Sequence, residues 1–250
     1  MSREVRIYQN AGLLNRALAE RVVTISERAI AARGRFVVCL AGGNTPRSAY
    51  ELMTTQEYTS LIDWSNAYVF WGDERCVPPE STDSNARMVR ETLLNHVPVP
   101  INHIYRIHGE LPPIQAAEQY DQTLREFFRN RMNTGKPRFD LVLLGLGVDG
   151  HTASLFPGTT ALREEKRWAV ANHVPSLDAW RVTLTAPALN AASNVIFLVS
   201  GAEKAETVKS VLEGDENSAQ LPAQMINPPD GRLVWLLDEP AASRLASQKI

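Results

Sequence analysis

Cysteine is scarce in this chain. There are two in 250 residues, Cys39 and Cys76, far apart and outside any C-x-x-C arrangement. This excludes a disulfide scaffold and a paired-thiol redox motif. A single bridge stays open on sequence alone. Cys39 lies in an apolar run and reads as a small buried hydrophobe, whereas Cys76 follows a charged tripeptide and reads as a free thiol near a site. Long apolar runs are also lacking: Phe139–Val148 and Val195–Val199 are the most apolar stretches, far short of the ~20 residues that cross a bilayer. Arg3, Glu4 and Arg6 interrupt the opening MSREVRIYQN, which predicts no secretory leader and, with so few cysteines, a reduced cytoplasmic chain without a membrane partner. Strong charge is missing as well. A net charge of −2 argues against a broad nucleic-acid surface, although a local basic pocket for an anionic metabolite remains open.

Several chemical signatures are absent. No G-x-x-x-x-G-K-[ST] and no G-x-S-x-G occurs, and His96, His103, His108 and His173 are scattered without metal-ligand spacing. Trp64, Trp71, Trp168, Trp180 and Trp235 lack the basic interleaving of a nucleic-acid stacking face and read as core or site-wall residues.

What is present is an ordinary globular composition, 44% hydrophobic and 22% charged, in which short apolar runs alternate with longer amphipathic segments. A chain of this length buries roughly three quarters of its unfolded surface in one core, so folding needs neither disulfide nor metal. The spacing of Leu14, Ala17, Leu18, Val22, Ile25 and Ala29 predicts a helix over Leu13–Ala32. Strands are expected at Arg35–Ala41, Ala67–Trp71, Phe139–Leu144, Val182–Thr185, Val195–Val199 and Leu233–Leu237. Helices are expected at Pro46–Met53 (Thr45 as N-cap, Pro46 first), Asn85–Leu94 (Ser84 or Asn85 as cap), Ile114–Met132, Glu203–Leu212 and at the C-terminus. Such alternation predicts a single α/β domain with a mainly parallel twisted sheet and helices on both faces.

Ligands of such sheets sit beyond the carboxyl ends of the strands, and four unusual loops fall there. Ala41–Arg47 (AGGNTPR) puts Gly-Gly before a helix start, which suits an anion on free backbone N–H groups and equally suits a plain strand-to-helix turn. Gly72–Arg75 (GDER) stacks three charges, most simply a solvated turn. Gly145–Ser154 (GLGVDGHTAS) contains G-x-G-x-x-G but fails as a dinucleotide fingerprint, because Pro157-Gly158 stops any long helix and Asp149 would meet the pyrophosphate. Its glycines are better read as holding Asp149 and His151 at a strand tip, with the carboxylate orienting an imidazole suited to proton transfer. Ser200–Lys204 places a cation, Lys204, in a first helical turn, where the dipole opposes it unless an anion is near. Arg181 opens a strand and reaches the same edge only if that strand is antiparallel or its loop folds back.

The segments LAGGNTPRSAY, FWGDERCVPPESTDSNARMVRETLL, LVLLGLGVDGHTASLFPGT, RVTLT and FLVSGAEKAETV resemble the bacterial-type 6-phosphogluconolactonases, over about Val37 to Lys209. The resemblance implies a fold of the glucosamine-6-phosphate deaminase and ribose-5-phosphate isomerase type, and hydrolysis of 6-phosphogluconolactone without an obligatory cofactor or metal. It implies His151 as general base with Asp149 beside it. It assigns Gly43, Asn44 and Thr45 to a phosphate-facing loop, and Arg75, Arg181 and Lys204 to anion binding. Asn44 departs from the more usual serine, which a backbone contact survives and a hydroxyl contact would not. Arg75 is left between phosphate and sugar. Oxyanion donors are expected from Arg75 or from backbone amides of Gly145–Gly150. The implied partner is a small phosphosugar lactone. Two rivals share the fold, a sugar-phosphate isomerase or deaminase and a non-catalytic sugar-phosphate sensor. The deaminase needs a glutamate soon after the histidine motif, where Ser154-Leu155-Phe156-Pro157 has no carboxylate.

Overall fold

The computed structural model describes residues 3–132 and 135–246. Its strands are β1 (Glu4–Tyr8), β2 (Phe36–Leu40), β3 (Ala67–Trp71), β4 (Asp73–Arg75), β5 (Ile104–Tyr105), β6 (Leu141–Leu144), β7 (Ala169–Val174), β8 (Ala179–Leu184), β9 (Asn194–Val199) and β10 (Arg232–Asp238). Its helices are α1 (Ala11–Arg33), α2 (Asn44–Met53), α3 (Gln56–Thr59), α4 (Asn85–Val89), α5 (Pro113–Met132), α6 (Ala186–Asn190), α7 (Ala205–Glu213) and α8 (Glu239–Ala242). No helix among the described residues is long and apolar enough to cross a membrane.

Seven strands form one parallel sheet in the order β1-β10-β9-β6-β2-β3-β5. Every residue of β2, β3 and β6 is buried, so both faces of the sheet are covered, and unbroken apolar runs such as FVVCL and LVLL follow from that. Tyr120 of α5 fixes one covering helix to the sheet, since its hydroxyl accepts from Trp71 N at 3.0 Å and donates to Trp71 O at 2.8 Å. Phe70, Phe127, Phe128 and Phe139 interlock beside it in edge-to-face and tilted pairs. Helix α1 is bounded by chemistry local to its ends: Asn10 accepts from Leu13 N, and Gly34 closes the helix in the left-handed region. Trp64, Trp71 and Trp235 belong to the core.

The other three strands form a separate antiparallel sheet, β4-β8-β7. Strand β8 is therefore a strand as expected, but outside the parallel sheet and running against β4. That arrangement supplies the reversal Arg181 needed to reach the site edge. Strands β1, β4, β5 and β7 have no counterpart in the apolar-run reading. All but β7 are five residues or shorter, and β7 carries Asn172 and His173 within its run.

The chain runs outward from β2 through β3 to β5, then returns to the opposite side of β2 with β6 and β9. The crevice between β2 and β6 is the topological switch point. The four unusual loops leave β9, β6, β2 and β3, which are consecutive in the sheet.

Candidate active site

The loops enclose a cavity of about 580 Å³. Gly43, Asn44, Thr45, Arg75, Asp149, His151, Arg181 and Lys204 all line it, so the sequence-derived set meets in one place.

On the β2 side, α2 begins at Asn44, with Gly43 as N-cap at φ 102 and no side chain capping the end. The positive φ requires glycine. Thr45 is thus not the cap and Pro46 is not the first helical residue; both lie inside the first turn. An uncapped N-terminus at a cavity wall leaves backbone N–H groups for an anion. Tyr50 braces the loop, accepting from Ala41 N at 3.0 Å and donating to Ala41 O at 2.8 Å.

On the β6 side the chain turns tightly. Gly147 N donates to His151 O at 2.8 Å, and Gly150 N donates to Gly147 O at 3.1 Å. Thr152 Oγ1 donates to Gly145 O at 2.9 Å, and Thr207 of α7 donates to Val148 O at 2.6 Å. Within this turn His151 Nδ1 lies 2.5 Å from Asp149 Oδ1, and the His151 backbone N–H donates to the same oxygen at 3.2 Å. A carboxylate only accepts, so Nδ1 carries the proton and Nε2 is left as the basic nitrogen. Burial pushes the Asp149 carboxyl up, but the hydrogen bond and charge of His151 outweigh it and hold it below the usual carboxylate value. A Cβ on Gly147 would stand 2.0 Å from His151 Nδ1 and 2.6 Å from Asp149 Oδ1. The pair therefore requires glycine there.

The GDER segment is not a solvated turn. Asp73 and Glu74 are buried. Glu74 accepts from Arg75 N, Asn85 N and Ala86 N at 2.7–2.8 Å, yet burial still pushes its carboxyl up. Asp73 accepts from Ser154 Oγ at 2.6 Å and from Asn85 Nδ2 at 3.3 Å. Ser84, not Asn85, caps α4, accepting from Arg87 N at 3.1 Å. Ser154 is held on every side: its N–H donates to Thr183 Oγ1 and its carbonyl accepts from Asn172 Nδ2. Next to it Ala153 sits at φ 47, a conformation costing a non-glycine residue about 1 kcal/mol or more, kept where surrounding bonds over-determine it. This clamp fixes the His151 loop against the small sheet that carries the arginines.

Arg75 and Arg181 are register partners across β4 and β8. Burial, and then the charge of Arg75, push the Arg181 guanidinium below its ordinary value. Lys204 ends the 3-10 turn Ala202–Lys204 and forms the N-cap of α7, which starts at Ala205 and not at Glu203. Asp238 anchors that loop, accepting from Ser200 Oγ and from Gly201 N. Glu203 also lines the cavity. Cys39 and Cys76 are both free. Burial pushes the Cys76 thiol up to about 11, despite the opposing charge of Arg181, so it is not an activated nucleophile. None of the tryptophans lines the cavity.

Sequence reasoning missed Asp73, Asn85, Ser154 and Phe156 as lining residues, together with Ser176 and Leu177 from the β7–β8 turn. Phe156 packs its ring on His151 with centroids 4.0 Å apart and planes 22° apart. Its place in the DGHTASLFPG run was the available signal.

An α/β sheet with an uncapped helix end and three cations on the walls of its switch-point cavity, together with a carboxylate-oriented imidazole, is an arrangement able to support acid–base chemistry on a small anion. Comparison with known proteins narrows that class. The family model described as glucosamine-6-phosphate isomerases/6-phosphogluconolactonase matches residues 9–235. Probable 6-phosphogluconolactonase 2 of Oryza sativa subsp. indica is 35% identical, over 98% of this chain and 91% of its own. Probable 6-phosphogluconolactonase 1 of Arabidopsis thaliana is also 35% identical, over 97% and 93%. The solved structure of 6-phosphogluconolactonase from Trypanosoma brucei superposes with a TM-score of 0.84 at 30% identity, covering 98% of this chain and 99% of that one. The chain belongs to the glucosamine-6-phosphate isomerase/6-phosphogluconolactonase family.

Proposed function

We propose that this protein is an enzyme that hydrolyses 6-phosphogluconolactone to 6-phosphogluconate, a step of the pentose phosphate pathway. The observation that carries the reading is the meeting of His151 and Asp149 with Gly43, Asn44, Thr45, Arg75, Arg181 and Lys204 around one cavity. In this reading the substrate phosphate rests on the α2 N-terminus with Lys204 and Arg181. Anchoring it holds the lactone over His151, an orientation effect worth several kcal/mol. His151 Nε2 removes a proton from water as the water oxygen bonds to the lactone carbonyl carbon. The carbonyl electrons move to oxygen, and the resulting oxyanion needs donors. The Gly147 and Gly150 amides are already taken by the turn, which leaves Arg75 or another backbone amide of the loop for that role. The carbonyl then re-forms, the ring C–O bond breaks, and His151 returns its proton to the leaving oxygen.

The relatives' names support hydrolysis over isomerisation. So does the stretch after His151, where an aromatic ring and no carboxylate stands against the imidazole. Both thiols being free fits a cytoplasmic setting, and the reading calls for a small-molecule partner, without nucleic acid or membrane. Freshly generated lactone tests it: hydrolysis above the spontaneous rate is expected, with no ammonia released from glucosamine 6-phosphate. Saturable binding without turnover would favour the sensor, and ammonia release the deaminase.

A further inference from the structure

His151 is held in its plane by Asp149, but a hydrogen bond at Nδ1 alone leaves the ring free to rock about that contact. The second restraint is Phe156. Its near-parallel ring lies 4.0 Å from the imidazole, centroid to centroid. It is itself buried and lines the cavity. The segment that carries it is anchored at both flanks, by Leu155 N donating to Thr152 O and by Thr159 Oγ1 donating to Phe156 O.

A face-on phenyl ring acts differently on the two protonation states of histidine. Its negative face attracts a cation and does little for neutral imidazole. In the proposed hydrolysis, on which this inference rests, His151 is neutral before it takes the proton from water and positive afterwards. An interaction present only after proton transfer lowers the barrier to that transfer. We propose that Phe156 is a positioning residue for His151, fixing the plane of the base and stabilising the imidazolium formed when it takes the proton from water. Asp149 does the same from the ring edge. The other charged groups around the cavity are Asp73 and Arg75 on β4, Arg181 on β8, and Glu203 and Lys204 before α7. All remain when Phe156 is changed, so a change at that residue reports the ring.

Three variants in the full chain separate this from mere packing. Phe156→Leu and Phe156→Met keep an apolar side chain and remove the π face; Phe156→Tyr retains it. The first readout is proton NMR of the His151 ring, assigned among five histidines with a His151→Gln control. Wild type should show its carbon-bound protons displaced upfield by the stacked ring. The His151 midpoint should fall by about half a unit in the Leu and Met variants, as expected for a cation–π contact of ordinary strength, and return in the Tyr variant. The second readout is turnover of fresh lactone. Leu and Met variants should lose about two- to fivefold in kcat with KM within twofold, and their acid limb should move with the NMR midpoint; Tyr should restore both. Absence of the upfield displacement in wild type, or a Leu variant with the wild-type midpoint, would overturn the inference. Because the NMR readout needs no turnover, it stands apart from the lactonase reading, which fails on its own if wild type does not hydrolyse lactone.

Discussion

Arg75 and Arg181 face each other directly across the β4–β8 pair and share one cavity. Like charges in register repel, and Arg181 is in addition partly buried, with both effects pushing its guanidinium down. In the proposed function an anion between or beside the two groups would reverse the sign of the interaction. Without an anion, Arg181→Ala should therefore leave thermal stability unchanged or slightly raised. Inorganic phosphate or 6-phosphogluconate should raise the melting temperature of wild type and do so less in the variant. Thermal melts with and without phosphate check this; equal stabilisation of both proteins would contradict it.

Lys204 stands where a helix dipole disfavours a cation, which makes sense beside a phosphate. Lys204→Ala should raise KM for the phosphorylated lactone about tenfold or more, the size of a charge-assisted hydrogen bond, with a small effect on kcat. The same variant should handle an unphosphorylated gluconolactone like wild type. An equal loss on both substrates would remove Lys204 from the phosphate.

Gly147 admits no side chain without moving the His151–Asp149 pair. Gly147→Ala should lower kcat at least tenfold while the cooperative melt stays close to that of wild type. A variant with full kcat would mean that the pair can shift freely and that its spacing is not needed.

Asp149 carries a pH signature. Burial pushes its carboxyl up, the hydrogen bond and charge of His151 bring it down further, and the net is a folded-state value below the ordinary one. A carboxylate lowered on folding adds stability above its unfolded pKa and loses it as pH falls through the folded value. The stability difference between wild type and Asp149→Asn should thus be present near neutral pH and fade below about pH 4. Chemical denaturation at a series of pH values checks it; a difference that persists undiminished in acid would mean the asparagine acts through packing alone.

The parts of this protein legible in its sequence are those written locally. FVVCL, AYVFW and LVLL announce buried parallel strands, and the loops after them carry glycines, a histidine and cations whose positions follow from strand direction alone. Asp73 and Glu74 show what is not local. Read along the chain they are a solvated triplet; in space they are buried acceptors for Asn85 at the start of α4 and for Ser154 in the loop after β6. The antiparallel course of β8 was likewise hidden, since a run such as RVTLT has the same period in either direction. Thr45 misled as a cap because Gly43, two residues earlier, already turns the chain. Phe156 could be placed against His151 only once the turn through Ala153 was known.

The most direct measurement is the rate of ester loss from freshly made 6-phosphogluconolactone, corrected for its spontaneous opening, with wild type and with His151→Ala side by side. The account predicts that the variant still binds 6-phosphogluconate but loses about 10²–10⁴ of the enzymatic rate, as when a general base is removed. A variant that binds the product and opens the lactone as fast as wild type would contradict it.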